Sequence, residues 1–176
     1  EFIPTSKIKG REDFIHESAY YKMFDTKASF TVKIEKEYDI NFPEHLNVYC
    51  YESGPRGKLG DYDSPKKCST GVLNYYLMDG GSLFPVLALN LKPGCKVLDL
   101  CASPGGKSLL ALQTLYPDCI VANDVSWSRV KKLEEVFNLF LYDYNERWIK
   151  TGRIRVTNED ARDITGADNY DRILVS

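Results

Sequence analysis

Four short apolar runs, separated by helical patterns, dominate the second half of this sequence. Turn-forming or polar residues bound these runs, and we predict them to be buried strands at 96–100, 119–122, 153–156 and 172–175. Helical patterns at 105–115 and 126–143 separate the first three runs. This order is typical of the first half of a doubly wound α/β sheet. We therefore expect a parallel sheet whose fourth strand is an apolar edge, which indicates that the chain is part of a larger domain.

The first 70 residues lack this regularity and are rich in turn-forming residues. We interpret 1–70 as an irregular N-terminal extension that ends in a long loop. An apolar face at helical spacing over 72–89 predicts a lead-in helix, which Gly80, Gly81 and Pro85 divide or kink. The predicted organisation is therefore an extension over 1–70, followed by the first half of an α/β domain over 71–176.

Charge and cysteine usage exclude several classes of protein. A formal net charge of -2 rules out a polycationic coat for nucleic acid, although it leaves room for a local RNA-binding patch. The apolar stretches are too short and too interrupted to span a bilayer. The five cysteines form no C-x-x-C pair, and the two histidines lack ligand spacing. We therefore expect no membrane span, no metal site and no disulfide framework.

The turn after the first predicted strand is the part of the chain that points to chemistry. Gly105 and Gly106 allow a ligand to approach the backbone, and the following helix start offers unpaired N–H groups. Asp124 ends the second predicted strand, where a carboxylate can accept both hydroxyls of a ribose. Neither G-x-G-x-x-G nor a complete phosphate loop is present. The pattern therefore predicts a nucleoside cofactor without a phosphate cradle, which fits S-adenosylmethionine.

These residues also carry a family resemblance. The heptad 101–107, which reads C-A-S-P-G-G-K, resembles the C-A-[AS]-P-G-G-K signature of the NSUN (Sun-domain) RNA cytosine-5 methyltransferases. Later family blocks follow in order: Asn123-Asp124-Val125-Ser126 with Arg129, Asp160-Ala161-Arg162, and 170–175. Segments 7–14 and 42–46 are most similar to the mitochondrial member that methylates small-subunit ribosomal RNA. The resemblance covers nearly the whole chain.

The resemblance implies a fold, a cofactor and a set of site residues. The fold is the Rossmann-like class I S-adenosylmethionine-dependent methyltransferase fold, of which this chain holds the N-terminal half of the sheet. The implied cofactor is S-adenosyl-L-methionine. The implied binding residues are Cys101, Ala102, Ser103, Pro104, Gly105, Gly106, Lys107, Asp124, Arg129 and Asp160.

Each part of that set has an implied role. The turn 101–107 wraps the methionine end of the cofactor, Asp124 holds the ribose, and Asp160 holds the adenine amino group. Arg129 braces the loop after the second strand, and Lys107 also faces the target cytosine. Structural alternatives stay open at this point: Asp124 is also placed to cap the following helix, and Asp160 to be a solvated loop acid.

The sequence departs from the family at the catalytic cysteines. The family's two cysteines lie in D-[AV]-P-C and T-C-S blocks, and this sequence contains neither block. Ser176 stands where the first block's Asp is expected. Cys101 belongs to the cofactor turn, so we assign no catalytic residue in this chain. Two functions remain open: an RNA cytosine-5 methyltransferase, or a non-catalytic scaffold for ribosome assembly or RNA binding.

The same resemblance implies partners and a location. It points to ribosomal RNA, to the mitochondrial matrix, and to a helical-repeat partner protein of the mitochondrial termination-factor class. Because the chain is slightly acidic, RNA contacts must come from local basic clusters. The candidates are Lys7, Lys9, Arg11 and the pair Lys66-Lys67.

Overall fold

The computed structural model describes residues 43–49, 63–166 and 169–175. A single turn of 3-10 helix, Gly80–Ser82, leads directly into the first α-helix. A turn of π-helix, Asn145–Ile149, follows the third α-helix. The remaining elements in chain order are α1 (Leu83–Ala88), β1 (Cys95–Asp99), α2 (Gly106–Gln113), β2 (Pro117–Asn123), α3 (Trp127–Phe140), β3 (Ile154–Thr157) and β4 (Arg172–Leu174).

The strands form a parallel four-stranded sheet in the order β3-β2-β1-β4. This confirms the predicted α/β fold, in which β4 pairs with β1 and no other described strand. Ile173 and Val175 expose much of their surface on or beside this edge. An apolar edge strand of this kind is a site where a sheet can be extended.

The core lies between the sheet and the apolar stripe of α3. Val97, Ile120 and Ile154 occupy matching positions on β1, β2 and β3, and each is almost completely buried. Leu133 and Phe137 of α3 belong to the same buried cluster, as the helical pattern predicts. The polar face of α3 stays in solvent, so burial of one stripe positions this helix on the sheet.

The predicted lead-in helix is wrong over its first half, because helical structure begins only at Gly80. The backbone before that glycine is bonded to other parts of the chain. The Leu73 amide donates to the Leu139 carbonyl at 2.8 Å, and the Asn74 amide donates to the Lys66 carbonyl at 3.0 Å. These tertiary hydrogen bonds hold the segment in a non-helical path, and Gly80 and Gly81 favour a break.

Part of the predicted extension contributes to the core. Leu46 is buried in the same cluster as the sheet residues, and Val48 packs against that cluster. The Asn47 carbonyl accepts a hydrogen bond from the side chain of Gln113 at 3.3 Å. The boundary near residue 70 stays a prediction, whereas the segment around Leu46 is packed against the α/β unit.

Asn123, the last residue of β2, joins three loops through its side chain. It is fully buried, and all four hydrogen-bonding positions of its amide are used. Its Nδ2 donates to the carbonyls of Leu100 at 3.1 Å and Glu159 at 2.9 Å. Its Oδ1 accepts from the Thr157 hydroxyl at 2.9 Å and from the Glu159 amide at 3.0 Å. One side chain therefore fixes the carboxyl ends of β1, β2 and β3 relative to one another.

Replacing Asn123 by Ala is expected to lower the free energy of unfolding by about 3 kcal/mol, because it leaves several buried groups without partners. Chemical denaturation of the purified protein measures this change. Asn138→Ala is the matched control, since that side chain lies on the exposed face of α3 and bonds only to the Glu134 carbonyl. The control should change stability by no more than about 0.5 kcal/mol. Equal effects of the two variants would contradict the role of the Asn123 network.

Candidate cofactor-binding site

The turn between β1 and α2 is held on both sides by neighbouring strands. The Ala102 amide donates to the Asn123 carbonyl at 2.8 Å, and the Leu100 amide donates to the Leu174 carbonyl at 2.9 Å. Ala102 and Ser103 are buried, Cys101 is half-buried, and Pro104 is exposed. The turn therefore presents a fixed rim at the carboxyl edge of the sheet, where ligands bind in open α/β sheets.

Close packing requires glycine at both positions of the turn, in addition to the access that glycine gives a ligand to the backbone. Gly105 has φ +113°, and a Cβ there would lie 2.9 Å from Leu133 Cδ1 and 3.2 Å from Phe137 Cε1. A Cβ on Gly106 would lie 2.8 Å from Cε1 of the Tyr76 ring. From the sequence, we expect these glycines to let a ligand approach the backbone. The structure adds a second reason, which is the close contact of α2 with α3 and with Tyr76.

The first turn of α2 offers backbone donors at this rim. The first helical bond runs from the Leu109 amide to the Gly105 carbonyl at 2.9 Å. The amides of Gly106, Lys107 and Ser108 precede it and have no partner within the helix. The helix start therefore carries N–H groups and a partial positive charge suited to a carboxylate. Lys107 is half-buried in this same turn.

Asp124 follows β2 and lies against Arg129 of α3. Its side chain is 3% exposed, and Arg129 Nε lies 3.1 Å from its Oδ2, which has no hydrogen bond of normal geometry. Arg129 Nη2 also donates to the Ser103 carbonyl at 2.8 Å, and the Ser103 hydroxyl donates to the Arg129 carbonyl at 2.8 Å. Arg129 thus links the turn after β1 to the acid after β2.

The alternative assignment of Asp124 as the cap of α3 does not hold. Ser126 occupies the cap position, and neither residue caps the helix through a side-chain bond. Asp124 Oδ1 instead accepts the Ser126 amide at 3.1 Å, two residues along the chain. This is a local turn bond typical of aspartate. Oδ2 takes no part in this turn and faces Arg129 instead.

Asp160 lies in the loop after β3 and is paired with Arg162. Arg162 Nε donates to Oδ1 at 3.0 Å and Nη2 donates to Oδ2 at 2.6 Å. These hydrogen bonds lower the pKa of Asp160 to about 2. The side chain of Asp160 is 30% exposed, so the ionised carboxylate remains accessible from solvent. The hydrogen bond from the Glu159 amide to Asn123 fixes the residue directly before Asp160.

Sequence reasoning missed Asp99, the last residue of β1. It is almost fully buried, and its Oδ2 accepts the Ser108 hydroxyl at 2.7 Å. Burial raises the pKa of Asp99, while the bond from Ser108, the Cys101 amide and the charge of Lys107 oppose that rise. The sequence signal that could have identified Asp99 is an acidic residue at the end of an apolar strand. Asp99 ties β1 to the start of α2 from inside the turn.

The part of the chain that carries this geometry matches a known family. Residues 86–176, just over half of the chain, match the family described as 16S rRNA methyltransferase RsmB/F. The chain belongs to this family. The match includes every predicted site residue from Cys101 to Asp160, and it confirms the resemblance stated from the sequence.

Two curated relatives and one solved structure show how far the similarity extends. The 5-cytosine rRNA methyltransferase NSUN4 of Bos taurus is 38% identical over 173 residues, which is 96% of this chain and 42% of that protein. The mitochondrial tRNA (cytosine(34)-C(5))-methyltransferase of Mus musculus is 33% identical over 155 residues, 78% of this chain and 43% of that protein. The structure of NSun6 from Pyrococcus horikoshii has a TM-score of 0.47 and 26% identity, covering 57% of this chain and 24% of that one. The chain therefore spans less than half the length of these proteins.

The cysteines of this family member are unpaired wherever the structure describes them. Cys68, Cys95, Cys101 and Cys119 are free thiols, and Cys50 lies outside the described residues. No group of three or more metal-ligating side chains occurs within the described ranges. In the same ranges, no helix is both long and apolar enough to cross a membrane.

The predicted RNA contacts are only partly described. Lys7, Lys9 and Arg11 lie outside the described residues. Lys66 and Lys67 are exposed, and Lys66 Nζ lies 3.0 Å from Oδ2 of Asp63. Both partners of that ion pair are largely in solvent, so the pair contributes little stability and the lysine charge remains reachable.

Gly105→Ala is expected to lower the free energy of unfolding by about 3 kcal/mol, because a positive φ and a close approach to Leu133 act together. Gly152→Ala is the control. That glycine has φ +75° but open space around it, so only the conformational cost of about 1 kcal/mol applies. Chemical denaturation measures both variants. A Gly105→Ala variant no less stable than Gly152→Ala would contradict the packing role of this glycine.

Proposed function

We propose that this protein is an S-adenosylmethionine-dependent RNA cytosine-5 methyltransferase, and that the described residues form its cofactor-binding part. The observation that carries the proposal is the shared edge of the sheet. The start of α2, Asp124 and Asp160 follow three adjacent strands, and Asn123 bonds those strand ends together. This arrangement occurs in a chain that belongs to an rRNA methyltransferase family.

The residues of this edge fit S-adenosylmethionine. Oδ2 of Asp124 is buried and ion-paired with Arg129 but accepts no hydrogen bond of normal geometry, so it keeps an acceptor position for a ribose hydroxyl. The amides at Gly106 and Lys107 suit the methionine carboxylate, and the half-buried carboxylate of Asp160 suits the adenine amino group. Arg129 braces Asp124 against the turn. When bound, this cofactor supplies a methyl group carried on a positively charged sulfur.

We further propose Lys107 as the residue that faces the target base. It belongs to the first turn of α2, on the rim that also holds Cys101 and Pro104. Its charge lies close enough to Asp99 to lower the pKa of that buried acid. A cation at this position can donate hydrogen bonds to a carbonyl or ring nitrogen of a cytosine.

The proposed substrate is the small-subunit ribosomal RNA of mitochondria, and the proposed location is the mitochondrial matrix. Two findings support this assignment. The bovine relative is named a 5-cytosine rRNA methyltransferase, and the mouse tRNA methyltransferase is named mitochondrial. Similarity to the bovine protein covers 96% of this chain, including the N-terminal segments that carry the resemblance to the mitochondrial rRNA member.

Removing the proposed ribose acceptor is expected to weaken cofactor binding. Asp124→Asn keeps the size of the side chain but loses charge, and Asp124→Ala removes both hydrogen-bonding oxygens. The dissociation constant for S-adenosylmethionine should rise by about 10- to 150-fold, which is the range for hydrogen bonds to a charged group. Titration calorimetry on the full-length protein measures it, together with transfer of tritiated methyl groups to cytosine in small-subunit ribosomal RNA.

Asp118→Ala is the control for this experiment, because Asp118 is an exposed acid near the opposite end of β2. An unchanged dissociation constant in both Asp124 variants would rule out its assigned role. Cofactor binding without any methyl transfer by the parent protein would favour the non-catalytic scaffold instead.

The basic pair Lys66-Lys67 is expected to contribute to RNA binding without affecting the cofactor. Changing both residues to Glu should weaken RNA binding and reduce its salt dependence. The slope of the logarithm of the binding constant against the logarithm of the salt concentration should fall by about one for each phosphate that the variant no longer neutralises. Filter binding at two salt concentrations measures both quantities, and calorimetry with S-adenosylmethionine is the control. A double variant that binds RNA as the parent does would contradict the assignment.

The proposed helical-repeat partner enters the same assay. Because the chain has a net charge of -2, we expect weak and salt-sensitive RNA binding by the protein alone. A partner of the mitochondrial termination-factor class would supply additional basic surface and tighten binding. Tight and salt-insensitive binding by the protein alone would overturn this part of the proposal.

A further inference from the structure

Arg162 makes an unusually complete set of contacts with Asp160. Its backbone amide donates to Oδ1 at 2.9 Å, its Nε donates to Oδ1 at 3.0 Å, and its Nη2 donates to Oδ2 at 2.6 Å. The Asp163 amide also donates to the Asp160 carbonyl at 2.9 Å, which closes the loop into a tight turn. The carboxylate is therefore held by a planar two-pronged contact within a short loop.

These contacts leave one acceptor position free on the carboxylate. An ionised carboxylate has about four lone-pair positions, two on each oxygen. Arg162 fills both positions on Oδ1 and one on Oδ2. The last position lies on Oδ2, and the Asp160 side chain is 30% exposed. The pair thus presents a single acceptor in a fixed orientation, suited to one N–H donor.

We propose that Arg162 is a positioning residue that makes the site specific for a purine carrying an exocyclic amino group. This inference rests on the proposed function, in which Asp160 receives the adenine of the cofactor. A fixed, ionised acceptor attracts an N–H group and repels a carbonyl oxygen at the same place. Arg162 acts through Asp160 and need not touch the cofactor itself.

The charge state of Asp160 agrees with this role. The hydrogen bonds from Arg162 lower the pKa of the carboxyl to about 2, so Asp160 stays ionised throughout the neutral range. A protonated acid could donate to a carbonyl and would discriminate less well. Because both partners are in contact with solvent, the pair adds little to global stability. Effects of Arg162 on specificity can therefore be separated from effects on folding.

The test compares the product S-adenosylhomocysteine with an analogue that has a hydrogen atom in place of the exocyclic amino group of the base. The two compounds differ only at that position. Titration calorimetry on the full-length protein gives the ratio of their dissociation constants. We expect the parent to prefer the adenosyl compound by about 10- to 150-fold, the range for one hydrogen bond to a charged group.

Variants then show which residues cause that preference. Arg162→Gln should reduce the ratio by at least about fivefold. Arg162→Lys, which keeps the charge but cannot make the two-pronged contact, should give an intermediate ratio. Asp124→Ala should weaken the binding of both compounds equally and leave the ratio of their dissociation constants unchanged, because it acts on the ribose. Arg155→Gln is the control for loss of an exposed arginine, and melting temperatures check folding.

Each result has a separate meaning. The inference is supported if Arg162→Gln loses the preference for the adenosyl compound while Asp124→Ala and Arg155→Gln retain it. An unchanged ratio in Arg162→Gln overturns it while leaving the proposed function intact. Tighter binding of S-adenosylhomocysteine by Arg162→Gln also overturns it, since Arg162 would then compete with the adenine. A folded parent that binds neither compound overturns both the inference and the proposed function.

Discussion

The arrangement of the site depends on the buried side chain of Asn123. Loops that follow parallel strands leave backbone groups without strand partners, and such groups need other hydrogen bonds when they are buried. Asn123 supplies two donors and one acceptor atom at the point where three strands end. It thereby joins the Leu100 carbonyl of the β1 turn to the Glu159 backbone of the β3 loop. Asn123 thereby positions the loops that hold the proposed cofactor contacts.

Both acids of the site are controlled by arginines, but in different surroundings. Arg129 approaches a nearly buried carboxylate and also holds the Ser103 carbonyl, so it connects two elements of the fold. Arg162 binds a half-buried carboxylate two residues away, so it orders a single loop. The first pair links the packing of α3 to the proposed ribose position. The second pair defines one hydrogen-bonding direction at the proposed base position.

Short apolar runs and helical periodicity were sufficient to predict the strands and the main helices. The four strands and α3 lie within a few residues of their predicted places, because both patterns follow directly from burial against one core. The first half of the lead-in helix was predicted wrongly because tertiary hydrogen bonds of Leu73 and Asn74 hold that segment in a non-helical path. Asn123 and Arg162 were not assigned roles, since side-chain networks between distant loops have no period. The packing role of Gly105 likewise needs the position of α3, which the sequence does not contain.

A crystal structure of the full-length protein with S-adenosylhomocysteine tests the central claim most directly. We predict that the product lies along the carboxyl edge of the sheet, with its ribose hydroxyls on Asp124, its adenine amino group on Asp160 and its methionine end at the start of α2. The chain also has a cavity of about 250 Å³ near the opposite ends of the strands, lined by residues that include Leu91 and Tyr116. Product bound there, or anywhere away from Asp124 and Asp160, would contradict the proposed cofactor site.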